Sequence, residues 1–117
     1  MSRAPSAREW TERIDRDVRA YAPDLIWVEV ANALRLAERA NALSAARSDE
    51  LLEAVIGLPI HVRSTRTLCR HALRSALATG LTAYDASYLV LAEVFDATLV
   101  TADRQLAAAA SRAELIA

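Results

Sequence analysis

Three carboxylates far apart in the chain, Glu29, Asp85 and Asp103, are the residues best suited to do chemistry. Glu29 and Asp103 are expected just beyond strands and Asp85 in the first turn of a helix, so all three can face one edge of a sheet. Hard divalent cations such as Mg²⁺ and Mn²⁺ take oxygen ligands, and Mg²⁺ usually binds one or two carboxylates while keeping several waters. A cation held this way can activate water against a phosphodiester, polarise a phosphoryl oxygen and offset charge on the leaving oxygen. No serine, cysteine or histidine nucleophile is then required. Each acid also has a structural explanation. Asp85 stands three residues after Thr82 and could be the N3 member of a capping box, Asp103 could N-cap the last helix, and Glu29 could simply favour a helix N-terminus. The joint placement argues against three unrelated caps, which need not point at one sheet edge.

The elements that must position these acids follow from periodicity. Ser6 and Glu9 have capping-box spacing, and Trp10, Ile14, Val18 and Tyr21 share a helical face, which predicts a helix from about Ala7 to Tyr21. After Pro23, the apolar run Leu25-Ile26-Trp27-Val28 reads as a short buried strand, and Val30, Ala33, Leu34 and Ala37 switch the period to a helix over Glu29 to Ala40. Ser44 caps a third helix with inner face Leu51, Leu52, Val55 and Ile56, ending at Gly57 and Pro59. Ile60-His61-Val62 is a strand. Thr65 to Thr79 carries a helical stripe of Leu68, Ala72 and Ala76 beside Cys69, Leu73 and Leu77, with Gly80 past its end. Thr82 opens a helix to about Phe95, Ala97 to Thr101 is a strand, and Arg104 to Arg112 a last helix. Strands alternating with helices predict an α/β fold, a parallel sheet flanked by helices with right-handed crossovers, in one domain over residues 1–117.

Composition excludes some chemistry. All 14 basic residues are arginine, so no mechanism can rest on a lysine, and the net charge of −1 provides no global field for nucleic acid. Any RNA contact must use local arginines, such as Arg66, Arg70 and Arg74, which repeat every four residues after Arg63. Such a stripe is more commonly a solvated face. Cys69 is the only cysteine, with no partner for a disulfide or a zinc site, and is expected in the core. His61 and His71 lack ligand spacing, and they and the two tryptophans, Trp10 and Trp27, are read as structural. The early charges, Arg3, Arg8, Glu9, Glu12, Arg13, Asp15, Arg16 and Asp17, leave no apolar block for a signal peptide or membrane span, so a soluble cytoplasmic protein is expected.

Three segments carry a family resemblance: Val28-Glu29-Val30-Ala31-Asn32-Ala33-Leu34, Gly80-Leu81-Thr82-Ala83-Tyr84-Asp85-Ala86-Ser87-Tyr88-Leu89 and Leu99-Val100-Thr101-Ala102-Asp103-Arg104-Gln105-Leu106. The chain from about Trp10 resembles the PIN domains, and among them the VapC-type toxins of bacterial toxin-antitoxin pairs. The resemblance implies a PIN-like three-layer sandwich and Mg²⁺- or Mn²⁺-dependent endoribonuclease activity. It implies Glu29, Asp85 and Asp103 as metal-site acids, with Thr101 as the polar neighbour of the last aspartate. It further implies an RNA substrate, an antitoxin partner and a homodimer. One family feature has no counterpart ahead of Glu29: an apolar opening strand ending in an aspartate, in a V-V-D-A-S-like run. Asp15 and Asp17 lie in a helical pattern and do not replace it, so a domain shortened at its N-terminus is expected. The family's closing strand is hard to place in Glu114-Leu115-Ile116-Ala117.

Other α/β readings fit less well. A receiver domain uses a lysine near its acids, and a haloacid-dehalogenase-type phosphatase needs a D-x-D strand end; both are absent. The serious alternative is a non-catalytic, degenerate PIN domain acting as a protein- or RNA-binding module. A purely structural domain would instead leave the three acids apart at unrelated caps.

Overall fold

A computed structural model of the chain describes residues 6–16 and 18–116, without the side chains of Ala7, Asp15 and Arg16. Asp17 and the side chain of Asp15, read above as part of a helical pattern, therefore lie outside the described residues. The elements run α1 (Ala7–Arg16), β1 (Ala20–Pro23), α2 (Ile26–Arg39), α3 (Ala45–Ile56), β2 (Ile60–Arg63), α4 (Thr65–Thr79), α5 (Ala83–Val94), β3 (Leu99–Thr101), α6 (Arg104–Ala109) and β4 (Ala113–Leu115). The expected alternation of strands and helices holds, and both strand pairs are parallel. They form two separate two-stranded ladders, β1 with β2 and β3 with β4. Parallel partners need crossovers: α2 and α3 join β1 to β2, and α6 joins β3 to β4.

The expected strand at Leu25–Val28 is not a strand. The ladder uses Ala20–Pro23, paired in register from Ala20 with Ile60 to Pro23 with Arg63, and α2 begins at Ile26. A four-residue apolar run is ambiguous between strand and helix, and here the half-buried Ile26, Trp27 and Val30 with exposed Val28 follow the helical period. Pro23, lacking an N–H, sits at the strand end, where it costs least. Asp24 closes the ladder: its N–H donates to the Arg63 carbonyl at 2.8 Å, and its carboxylate accepts from the Thr65 N–H at 3.2 Å, tying the start of α4 to β1. The first helix is correspondingly shorter than expected. It ends at Arg16, and Tyr21 leaves the helical face to stack on Phe95, ring centroids 4.2 Å apart.

Helix boundaries set by caps agree closely with the sequence. Ser44 accepts from the Arg47 N–H and Thr82 from the Asp85 N–H, as N-caps do. Gly80 ends α4 in the left-handed conformation, φ 78°, where a Cβ is disfavoured. The last helix stops at Ala109, and residues 113–115 form β4, the closing strand that was hard to read.

The core gathers around α5, whose Ala86, Ser87, Leu89, Val90 and Leu91 are all buried. On one side Leu89 joins Leu81, Leu99 and Leu106, with Tyr88 packed against them; on the other, Val90 and Leu91 join Leu68, with Tyr21 and Phe95 alongside. One helix therefore ties β3 and α6 to α4 and β1. The α4 stripe is buried at Leu68 and Ala72, whereas Cys69, Leu73 and Leu77 are exposed. Cys69 is not core filler: its thiol donates to the Arg66 carbonyl at the surface.

Candidate active site

Glu29 lies in the first turn of α2 rather than at a strand end, and Asp85 in the first turn of α5. Acids are favoured there because the unpaired N–H groups of a helix start carry partial positive charge. Tyr88 links Glu29 to the helix that carries Asp85. Its hydroxyl donates to Glu29 Oε1 at 2.9 Å, across two elements far apart in sequence. Asp85 and Tyr88 are three residues apart on α5 and so share a helix face. The Tyr88 hydroxyl titrates well above the ordinary tyrosine range. Burial disfavours the phenolate most, and the hydrogen bond to Glu29 and the negative charges of Glu29 and Asp85 add to it. Tyr88 therefore stays a donor to Glu29, with Asp85 one turn earlier on the same helix face.

Asp103 and Thr101 occupy the turn between β3 and α6. Asp103 is the N-cap of α6: its Oδ1 accepts from the Gln105 N–H at 2.8 Å and the Leu106 N–H at 3.1 Å, and its own N–H donates to Thr101 Oγ1 at 3.0 Å. Leu99 and Leu106, either side of this turn, pack with Leu81 and Leu89 on either side of the first turn of α5. The turn is thereby anchored to the start of the helix that carries Asp85. Even so, no three His, Cys, Asp or Glu residues among those described are grouped closely enough to hold a metal ion. The structure links Glu29, through Tyr88, to the helix that carries Asp85, and leaves Asp103 engaged as a cap.

The donor chemistry of the Glu29 and Asp85 pair fits Mg²⁺ or Mn²⁺. Such ions take hard oxygen ligands, and one or two carboxylates suffice when water and substrate phosphate fill the other positions. Glu29 is exposed and Asp85 half-buried, so both can be reached from solvent. A groove of about 350 Å³ lies elsewhere, between α2 and α3, with the oppositely charged Arg35, Arg39, Glu38 and Asp49 on its walls and none of the three acids.

Other residues singled out from sequence fall as follows. Arg66, Arg70 and Arg74 form an exposed row on α4. Arg63 leaves that row and lies over the rings of Phe95, at 5.0 Å, and Tyr21, at 5.8 Å. His61 and His71 are exposed, and Trp10 and Trp27 are half-buried rather than core. Sequence reasoning missed Tyr88 and Asp24. The position of Tyr88 one turn beyond Asp85 was the available signal; nothing local marks Asp24 as an acceptor for the first N–H of a helix 41 residues on, whose N-cap is Ser64.

Comparison with known proteins matches residues 2–112 to the family described as PIN domain. The chain is 37% identical over 86 residues to Ribonuclease VapC3 of Pyrobaculum aerophilum, an alignment covering 72% of this chain and 66% of that relative, a little under two thirds of its length. Its fold is similar to the crystal structure of PAE2754 from Pyrobaculum aerophilum, with a TM-score of 0.71 and 28% identity, covering 89% of this chain and 74% of the other.

Proposed function

From its membership of the PIN domain family, we propose that this chain is a metal-dependent endoribonuclease of the VapC type, the toxin of a toxin-antitoxin pair. The observation that carries the reading is the hydrogen bond to Glu29 on α2 from Tyr88, which stands one turn beyond Asp85 on α5. The similarity to a relative named a ribonuclease supports the reaction class.

In this reading Glu29 and Asp85 hold Mg²⁺ or Mn²⁺, with Asp103 as the third acid at the neighbouring turn and Thr101 beside it. The ion, when bound, supplies Lewis acidity toward a phosphoryl oxygen and a water acidic enough to attack phosphorus near neutral pH. The chain's own contribution is placement. The Thr82 cap fixes the turn that presents Asp85, and the Tyr88 hydroxyl holds one oxygen of Glu29. Thr101 Oγ1, bonded to the Asp103 N–H, sets the conformation of the turn that carries the third acid. Exposed Arg66, Arg70 and Arg74 offer bidentate donors to RNA phosphates, at a site where overall charge gives no attraction.

The partners proposed are RNA as substrate, an antitoxin protein, and a second copy of the chain. Val28, Leu36, Leu73 and Leu77 support protein partners, since all are large apolar side chains exposed on α2 and α4. No helix among the described residues is long and apolar enough to cross a membrane, and a cytoplasmic location is proposed with the toxin reading.

The test is cleavage of a labelled structured RNA by the purified chain with Mg²⁺, with Mn²⁺ and with EDTA, alongside Asp85→Asn. Metal-dependent cleavage should fall at least about 100-fold in the variant, the scale set by losing a transition-state charge stabiliser. A second reading, a non-catalytic PIN domain that binds protein or RNA, is favoured by Asp103's engagement as a cap and by the lack of a three-acid group among the described residues. It is the conclusion if wild type and Asp85→Asn both leave the RNA intact.

A further inference from the structure

We propose that Tyr88 is a positioning residue for the acidic site, fixing Glu29 so that it and Asp85 address the same cation. This rests on the metal-dependent reading given above. The ring packs against the cluster of Leu81, Leu89, Leu99 and Leu106, which also braces the turn holding Thr101 and Asp103. The hydroxyl reaches out of that cluster to Glu29 Oε1 at 2.9 Å. Tyr88 is therefore anchored in the core, shares a face with Asp85, and bonds the acid of another helix.

Glu29 needs such a tether. It is exposed, α2 has no buried residue among its fourteen, and the hydrogen bond from Tyr88 is the one side-chain bond found for Glu29 among the described residues. A free glutamate samples several rotamers, and ordering it on a cation costs entropy that a pre-formed bond has already met. A phenol donating to one carboxylate oxygen leaves the other oxygen to face the cation. Hydrogen bonds of this kind to ligating carboxylates commonly account for 10- to 100-fold in metal affinity.

Tyr88→Phe removes the hydroxyl and keeps the ring in its cluster, so it separates positioning from packing. Mn²⁺ affinity, read by electron paramagnetic resonance without RNA, is compared in wild type, Tyr88→Phe, Glu29→Gln and the double variant, with thermal unfolding as the check on the fold. The proposal expects about 10-fold weaker Mn²⁺ binding in Tyr88→Phe at a nearly unchanged melting temperature. It also expects no additional loss when Tyr88→Phe is placed on Glu29→Gln, because Tyr88 acts through Glu29. Equal affinity in wild type and Tyr88→Phe overturns the proposal while leaving the metal reading standing. So does an equal, additive loss in the Glu29→Gln background, which would assign Tyr88 a general structural role. A wild-type chain that binds no Mn²⁺ overturns the metal reading and this proposal with it.

Discussion

At the scale of single residues, the acids divide into two kinds. Asp103 serves the backbone of α6 through one oxygen, whereas Glu29 accepts from a side chain, the hydroxyl of Tyr88 one turn beyond Asp85. The same group answers to pH. The Tyr88 hydroxyl is held protonated well above the pH, about 10, at which an unfolded tyrosine ionises. Above that pH the unfolded chain has released a proton that the folded chain still binds. Stability from this group is therefore fully present below pH 10 and declines as pH rises toward the folded value. Chemical denaturation of wild type should weaken between about pH 9.5 and 11 more steeply than that of Tyr88→Phe. Parallel curves would show that the tyrosine does not carry this difference.

At the scale of elements, α5 does most to hold the molecule together, since its buried residues reach both clusters. Leu89 is 2% exposed, so Leu89→Ala should cost about 2–5 kcal/mol, measured by urea unfolding. Thr82→Ala removes the cap over Asp85 and should cost about 1 kcal/mol in the same assay, while Thr82→Ser should cost much less. Those caps are the part of the fold most legible in sequence: Ser44, Thr82, Asp103 and Gly80 each mark a boundary through a local hydrogen bond or backbone preference. The strands were less legible because their partners are remote. Ala20–Pro23 has no alternating pattern and is a strand only through its pairing with Ile60–Arg63, while Leu25–Val28, apolar enough for a strand, is claimed by the helix that starts at Ile26. Glu29 and Asp85 could be chosen from sequence as acids at helix starts. The bond from Tyr88 to Glu29 could not, because it depends on where the fold sets α2 relative to α5, a tertiary relation with no local signature.

At the scale of the whole molecule, a net charge of −1 means that RNA affinity must be local. Replacing Arg70 and Arg74 with alanine should raise KM several-fold with little change in kcat, and should flatten the dependence of binding on salt by about one counterion per lost phosphate contact. An unchanged salt slope would return the arginine row to the role of a solvated face. The proposed function turns on Glu29 and Asp85, carried by separate helices, holding one divalent cation. Anomalous diffraction from crystals grown with Mn²⁺ tests it most directly. One strong peak per chain is expected, with oxygens of both Glu29 and Asp85 at about 2.0–2.2 Å. A fully substituted crystal with no peak between these two carboxylates, or with a peak held by Asp103 alone, would contradict it.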